Sequence, residues 1–431
     1  MAQFDGALPR PTRVRADLKI PAPVSYCIKA ALLACLPFLV YDGYKYGLYH
    51  LISTNPAAQF TYFGIAVLYF VGSAPSRSEA LLAVAGGLGI LFICPLPRPS
   101  DFIGETLVRT GAFVGIGGLF AMCIRAIWSR DRDRAIDTLA RSLIFVVLGI
   151  LLGTMLSAAS ELRPFKYDHF LYAIDVRFGA AISFAVGGWF RAQPVVFRME
   201  SIVYDSLPLA FAVLYAAHIR RTQQGSVDIL TMMWINAIVG YGLYFLYPAA
   251  GPVYAFGAAF PAAPPLTAHV AMQMVRLNAF PNAMPSLHMA GVVLIWWNAR
   301  HWKVGGIVAF AFMLLTALAA VGFGEHYFLD LLVAFPYALA IQAISTKSAG
   351  RFGALALGVG MTACWFAALM FAPKALCAAP VWLMWVLAIV TVAIPLFANA
   401  KLLAEAPAPA AALPQPALPL EGGQFCPQPP F

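Results

Sequence analysis

The chain has 431 residues, 61% hydrophobic and only 11% charged, with a formal net charge of +9. A soluble domain is nearer half apolar and a quarter charged, so the composition excludes an ordinary water-soluble enzyme and reads as a polytopic membrane protein. The basic excess is then a matter of position along the chain, and no run of Lys and Arg interleaved with aromatics points to nucleic acid.

In chain order, residues 1–22 are polar for too long to be a secretory signal, and a cytoplasmic arm is expected. A spanning helix needs about 20 mostly apolar residues. On that template helices are expected near 24–43, 59–75, 79–97, 102–128, 140–159, 195–217, 229–247, 284–300, 304–323, 326–345, 352–372 and 380–399, about twelve in all. The segment 178–190 (FGAAISFAVGGWF) is too short to span and is expected as an interfacial or re-entrant helix. Residues 403–431 are rich in Pro and Ala, hence extended and disordered by expectation. The chain therefore divides into an arm (1–22), N-terminal membrane helices (23–159), a core (160–345), C-terminal membrane helices (346–402) and the tail. Seven cysteines, mostly in apolar segments and with no CxxC pair, indicate neither a disulfide framework nor a zinc site.

Basic residues collect in cytoplasmic loops. Placing Arg10, Arg13, Arg15 and Lys19 inside makes the alternate loops carry Arg77, Arg125 to Arg141, Arg220 and Arg221, Arg300 and Lys303, Lys347 and Arg351, then Lys401. Loop 160–194, with Arg163, Lys166, Arg177 and Arg191, is the exception. This pattern puts both termini in the cytoplasm. It puts loops 160–194 and 248–283, His288 and the 324–326 turn on one outer face, which in a bacterial inner membrane is periplasmic.

Two stretches on that face carry chemistry. PNAMPSLHMAG (281–291) sets His288 just inside a helix start. Its loop (Pro281, Asn282, Pro285) offers backbone N–H groups to an anion, with Ser286 as N-cap and phosphate donor. In GFGEHYFLDLLVA (322–334), His326 and Asp330 are four apart, which on a helix puts both on one face. The carboxylate would then accept a hydrogen bond from one ring nitrogen and raise the basicity of the other. An unpartnered Asp330 within an apolar helix would be costly. Such a histidine can attack phosphorus while His288 protonates the departing oxygen.

PSLH followed by HYFLD resembles the second and third signature motifs of the type 2 phosphatidic acid phosphatase (PAP2) superfamily. Their form, with Leu inside PSLH and GEHY before the aspartate, is similar to the inositol phosphorylceramide synthase-like branch. The resemblance covers about 160–345, with motif support at 284–291 and 322–330. It implies a six-helix core in an all-α polytopic protein, His326 as phosphorus nucleophile oriented by Asp330, and His288 as general acid. It also implies a metal-independent, cofactor-free lipid phosphotransferase that moves a head group such as phosphoinositol through a phosphohistidine. The donor would be a phospholipid or lipid phosphate and the acceptor a ceramide, diacylglycerol or water. A lipid phosphate or polyprenyl pyrophosphate phosphatase of the same superfamily is the alternative.

The superfamily's first motif, Lys followed by Arg-Pro, is absent. KYDHFLYAIDVRFG (166–179) stands there instead, and its Asp168 and Asp175 resemble a paired-Asp pattern of the synthase-like branch. The arginine that precedes the third-motif histidine is also missing, since Ala319 and Ala320 occupy that stretch. Phosphoryl transfer develops charge that needs cationic donors, and the outer-face candidates are Arg276 first, then Lys166, Arg163 and Arg177. Tyr247, opening YPAAGPVYAFG (247–257), is expected to shape the side by which lipid arrives.

Two other classes compete. Two histidines and a carboxylate can hold iron or zinc, but the seven histidines show no His-box spacing. A transporter suits about twelve spans, with Lys29, Glu105, Arg109 and Asp205 along a path. It leaves His288, His326 and Asp330 without a task.

Overall fold

The computed structural model describes residues 56–93, 103–128, 132–220, 227–266, 270 and 272–405. The N-terminal arm, the expected helix at 24–43, the end of the one at 79–97 and nearly all of the tail lie outside the described residues.

Among the described residues the chain is all-α apart from one two-residue ladder and an isolated bridge between Val227 and Thr346. Helix α1 (Pro56–Leu68) runs into a π-helical turn, and α2 (Arg77–Ile93), α3 (Ile103–Trp128) and α4 (Arg132–Leu162) follow. Next come β1 (Phe165–Lys166), α5 (Asp168–Asp175), α6 (Ile182–Ala192), α7 (Pro194–Asp205), α8 (Leu207–Arg220), α9 (Ile229–Leu246) and α10 (Pro252–Phe256). Strand β2 (Val275–Arg276) pairs antiparallel with β1. The chain then forms α11 (Leu287–Ala299), α12 (Lys303–Gly322), α13 (Phe328–Ile344), α14 (Arg351–Phe371), α15 (Pro373–Ala378) and α16 (Val381–Ala404).

Six of these, α3, α4, α9, α12, α14 and α16, are long and apolar enough to cross a membrane, and the count reaches eight if each of two bent pairs is one span. This is a multi-pass membrane protein, but twelve uniform spans are not what the described residues form. The expected span at 195–217 breaks into α7 and α8, bent by 51°. Pro208, second in α8, has no N–H to give and its ring crowds the carbonyl four residues back, so the helix cannot run through Ser206. The expected 178–190 helix is α6, set at 86° to the segment Asp168–Phe178. Gly179, at φ +104°, makes that turn in the left-handed region. The expected spans at 284–300 and 326–345 shorten to the 13 residues of α11 and the 17 of α13.

Helix α13 is the centre of the bundle. It packs on α9, α11, α14 and α16, and every residue from Leu329 to Ala343 is buried. A helix apolar all round has no outer face and belongs in such a position. Its register against α11 is set by a reciprocal amide pair: Asn298 Nδ2 donates to Gln342 Oε1 at 2.9 Å and Gln342 Nε2 to Asn298 Oδ1 at 3.2 Å. The N-terminal helices form a block, α3 against α1 and α2, joined to the core where α1 meets α8, α4 meets α9 and α3 meets α7.

Candidate active site

The third motif builds its site at the mouth of α13. The helix begins at Phe328 with Tyr327 as N-cap, so His326 precedes it and does not share a helical face with Asp330. The expected bond between them is accordingly not made. His326 Nδ1–H instead donates to the Ala283 carbonyl at 2.9 Å. Asp330 Oδ2 accepts from the Tyr327 N–H at 2.8 Å and stands 3.7 Å from His326 Nδ1. A carbonyl only accepts, so the proton is fixed on Nδ1 and Nε2 carries the lone pair. That Nε2 is buried and has no hydrogen-bond partner. Burial pushes the His326 pKa from 6.5 down to about 4, against the upward pull of Glu325 and of the bond to Ala283. The imidazole is thus neutral and its lone pair unspent.

The second motif brings the partner. Ser286 is the N-cap of α11, its hydroxyl oxygen accepting from the Met289 N–H at 3.2 Å, which leaves its own O–H able to donate. The Ser286 N–H donates to the Asp330 carbonyl at 3.2 Å, tying the two helix starts together. His288 stacks on Tyr204 at the end of α7, ring centroids 4.0 Å apart. Its ring lies 6.4 Å from that of His326, with the planes at 61°.

The paired aspartates stand behind this arrangement. Asp168 accepts from the backbone N–H groups of Ala250 at 3.0 Å and Gly251 at 2.7 Å, and from the Tyr327 hydroxyl at 3.1 Å. Asp175 accepts from the Leu329 N–H at 3.0 Å, one of the four donors a helix start leaves without an internal partner. Both carboxylates are buried and hold the backbone that carries His326. Gly251, at φ +103°, is required here, since a Cβ would sit 2.6 Å from the Gly324 carbonyl oxygen.

The cationic candidates are spread out. Lys166 is fully buried, donates to the Arg163 carbonyl, and is held below its ordinary pKa by burial, with Asp168 opposing. Arg163 lies over the Phe245 ring at 5.4 Å, and Arg177 donates to the Ala379 carbonyl. Arg276 is exposed on the ladder opposite Phe165. Tyr247 is fully buried and stacked on Tyr167 at 4.3 Å, its hydroxyl without a partner. The structure therefore gathers His288, His326, Asp330 and Ser286, with Asp168 and Asp175 supporting them.

Residues not singled out from sequence complete the site. Glu325, next to the nucleophile candidate, accepts from the Tyr254 hydroxyl at 2.8 Å and Asn282 Nδ2 at 3.2 Å. The Ser183 hydroxyl donates to the His326 carbonyl at 3.0 Å. Glu325 was visible beside His326 in GEHY, whereas Tyr204 and Ser183 have no local signal and arrive from helices more than 80 residues away. Among the described residues, no three His, Cys, Asp or Glu side chains converge as a metal site.

A neutral buried histidine with a free lone pair, facing a second histidine, is an arrangement for attack on phosphorus. Residues 169–344 match the family model of the PAP2 superfamily. The matched PAP2 segment runs from α5 to the last residue of α13 and contains both histidines, both motifs and the Tyr254–Glu325 pair. It points to phosphatase or phosphotransferase chemistry on a membrane lipid. The helices before α5 and after α13 lie outside the PAP2 match. Neither the curated proteins nor the solved structures gave a match.

Proposed function

We propose that the protein transfers a phospho-head group from a phospholipid to a lipid hydroxyl through a phosphohistidine at His326, on the periplasmic face of a bacterial inner membrane. The observation that carries this reading is the unpartnered, buried Nε2 of His326, its opposite nitrogen locked on Ala283.

In the first half, Nε2 attacks the donor phosphorus. The N–P bond forms as the P–O bond to diacylglycerol breaks; His288, held neutral by burial before the lipid binds, takes up a proton as the anionic phosphate enters and gives it to the departing oxygen. The imidazolium that develops is stabilised by Asp330, 3.7 Å from Nδ1. In the second half, neutral His288 takes the acceptor hydroxyl proton, the oxygen attacks phosphorus and the P–N bond breaks, restoring both histidines. The Ser286 O–H and the His288 N–H at the start of α11 are the donors offered to the developing phosphoryl charge. Arg276, exposed on the ladder, belongs in this proposal as an outer contact of the lipid, and the buried Lys166, Tyr247, Asp168 and Asp175 as supports of the loop to which it binds.

Transfer is favoured over hydrolysis of a monoester by Glu325. A carboxylate beside the nucleophile repels a dianionic phosphomonoester about twice as strongly as a monoanionic phosphodiester, because the Coulomb energy scales with the product of charges. The test uses purified protein with a phospholipid labelled in its head group and a panel of lipid hydroxyls. Transfer with an acid-labile labelled protein intermediate is expected, and His326→Ala should lose both while still binding lipid. Release of free phosphate as the sole product refutes transfer. Turnover that survives His326→Ala refutes the phosphohistidine.

A further inference from the structure

The N-terminal block has no part in the chemistry above, yet it frames a half-open cavity of about 330 Å³ against the core. That volume lies at the small end of the ligand pockets of proteins, about 300–1,000 Å³. Its polar lining comes from three helices: Gln59 of α1, Glu105 and Arg109 of α3, and Arg198, Ser201 and Asp205 of α7. Charged side chains along membrane helices are expensive and collect where they serve a ligand. Arg109 is only loosely offset by Glu105, at 4.0 Å. Arg198 makes no ion pair among the described residues, so its guanidinium is not spent on a carboxylate of the protein itself. Guanidinium is the side-chain group best matched to a phosphate, and carboxylates and a serine beside it accept from or donate to hydroxyls.

The cavity also adjoins the catalytic histidines. Asp205, in its wall, follows Tyr204, whose ring stacks on His288.

We infer that this cavity binds the head group of a second lipid, an anionic phospholipid bearing hydroxyl groups, with its phosphate on Arg109 and Arg198 and its hydroxyls on Glu105 and Asp205. This deepens the transfer reading, on which it rests for the role of that lipid, by making the acceptor itself a phosphodiester. Binding does not depend on turnover, so the two can fail separately.

The full chain in detergent is titrated with phosphatidylglycerol, phosphatidylcholine, inorganic phosphate or glycerol phosphate, in the His326→Ala background where nothing is turned over. The readouts are thermal unfolding and lipid-bound mass. Saturable stabilisation by phosphatidylglycerol is expected, and Arg198→Gln should weaken it about tenfold or more, with Arg198→Lys recovering part of the loss. Arg198 is exposed, so its variants fold even if Arg109→Gln does not. Equal stabilisation by phosphatidylcholine, or no change in Arg198→Gln, overturns the proposal. Saturation by inorganic phosphate with none by lipid also overturns it, because the source would then be free phosphate. Lipid binding that survives alongside an inactive wild-type protein would sink transfer and leave the cavity assignment standing.

Discussion

Replacing Asp330 by Asn changes one charge and little else. The amide oxygen can still accept the Tyr327 N–H that Oδ2 holds at 2.8 Å, so the N-terminus of α13 keeps its cap. What is lost is the negative charge that the ring, becoming positive 3.7 Å away when Nε2 bonds to phosphorus, draws from a carboxyl whose pKa burial raises. At an effective dielectric of about 20, a full unit charge at that separation is worth about 4.5 kcal/mol, and a half-developed charge about 2.2 kcal/mol. One decade of rate corresponds to about 1.4 kcal/mol. Asp330→Asn should therefore slow formation of the phosphoenzyme by roughly 40-fold to 2,000-fold, with lipid affinity little changed. Rapid-quench measurement of the acid-labile intermediate gives the rate, and thermal unfolding shows whether the fold is kept. Single-turnover rates within about threefold of wild type, in a protein of unchanged unfolding midpoint, would mean that Asp330 is neutral or remote from the charge. The argument for its role would then be refuted.

Four further outcomes follow from the same geometry. His288→Ala should lower head-group transfer by about 10² to 10⁴-fold, but a donor with an aryl leaving group, which departs without protonation, should recover most of the first step; equal losses for both donors would rule out a proton-donor role. Burial keeps His326 neutral down to about pH 4, so the acid limb of kcat/KM should lie well below the ordinary imidazole value of 6.5, and a limb at 6.5 or above contradicts this. Because the unfolded chain takes up that proton near 6.5 and the folded one only near 4, the stability tied to neutral His326 is full above 6.5 and is lost as pH falls through this window. Gly251→Ala forces a side chain into a backbone at φ +103° and against the Gly324 carbonyl. It should cost about 2–4 kcal/mol in unfolding experiments and reduce activity, and a variant as stable and active as wild type would show that the loop shifts freely.

The sequence alone determined the membrane class and singled out the motif residues that the structure gathers. An apolar fraction of 61% leaves no soluble fold to consider. PSLH and HYFLD name their chemistry because an N-cap serine and a buried histidine are local features, legible in a few residues. Ser286 caps α11 as its spacing foretold, and α6 is as short as its thirteen-residue forecast implied.

Contacts between distant segments were decided only by tertiary structure. The spacing of His326 and Asp330 suggested a shared helical face, but the helix starts after His326, and the hydrogen-bond partner is a carbonyl 43 residues earlier in the chain. Asp168 and Asp175 look like ligand residues in one dimension, and in three they hold backbone N–H groups up to 154 residues away. The break at Ser206 was hidden because hydropathy averages over a window, whereas one proline ring redirects a helix at a single residue. Hydropathy and capping act over a turn or two of chain and can be read from it. Which lone pair is left free depends on the polar groups that the fold brings to the ring, and those come from the turn before α11 and the start of α13.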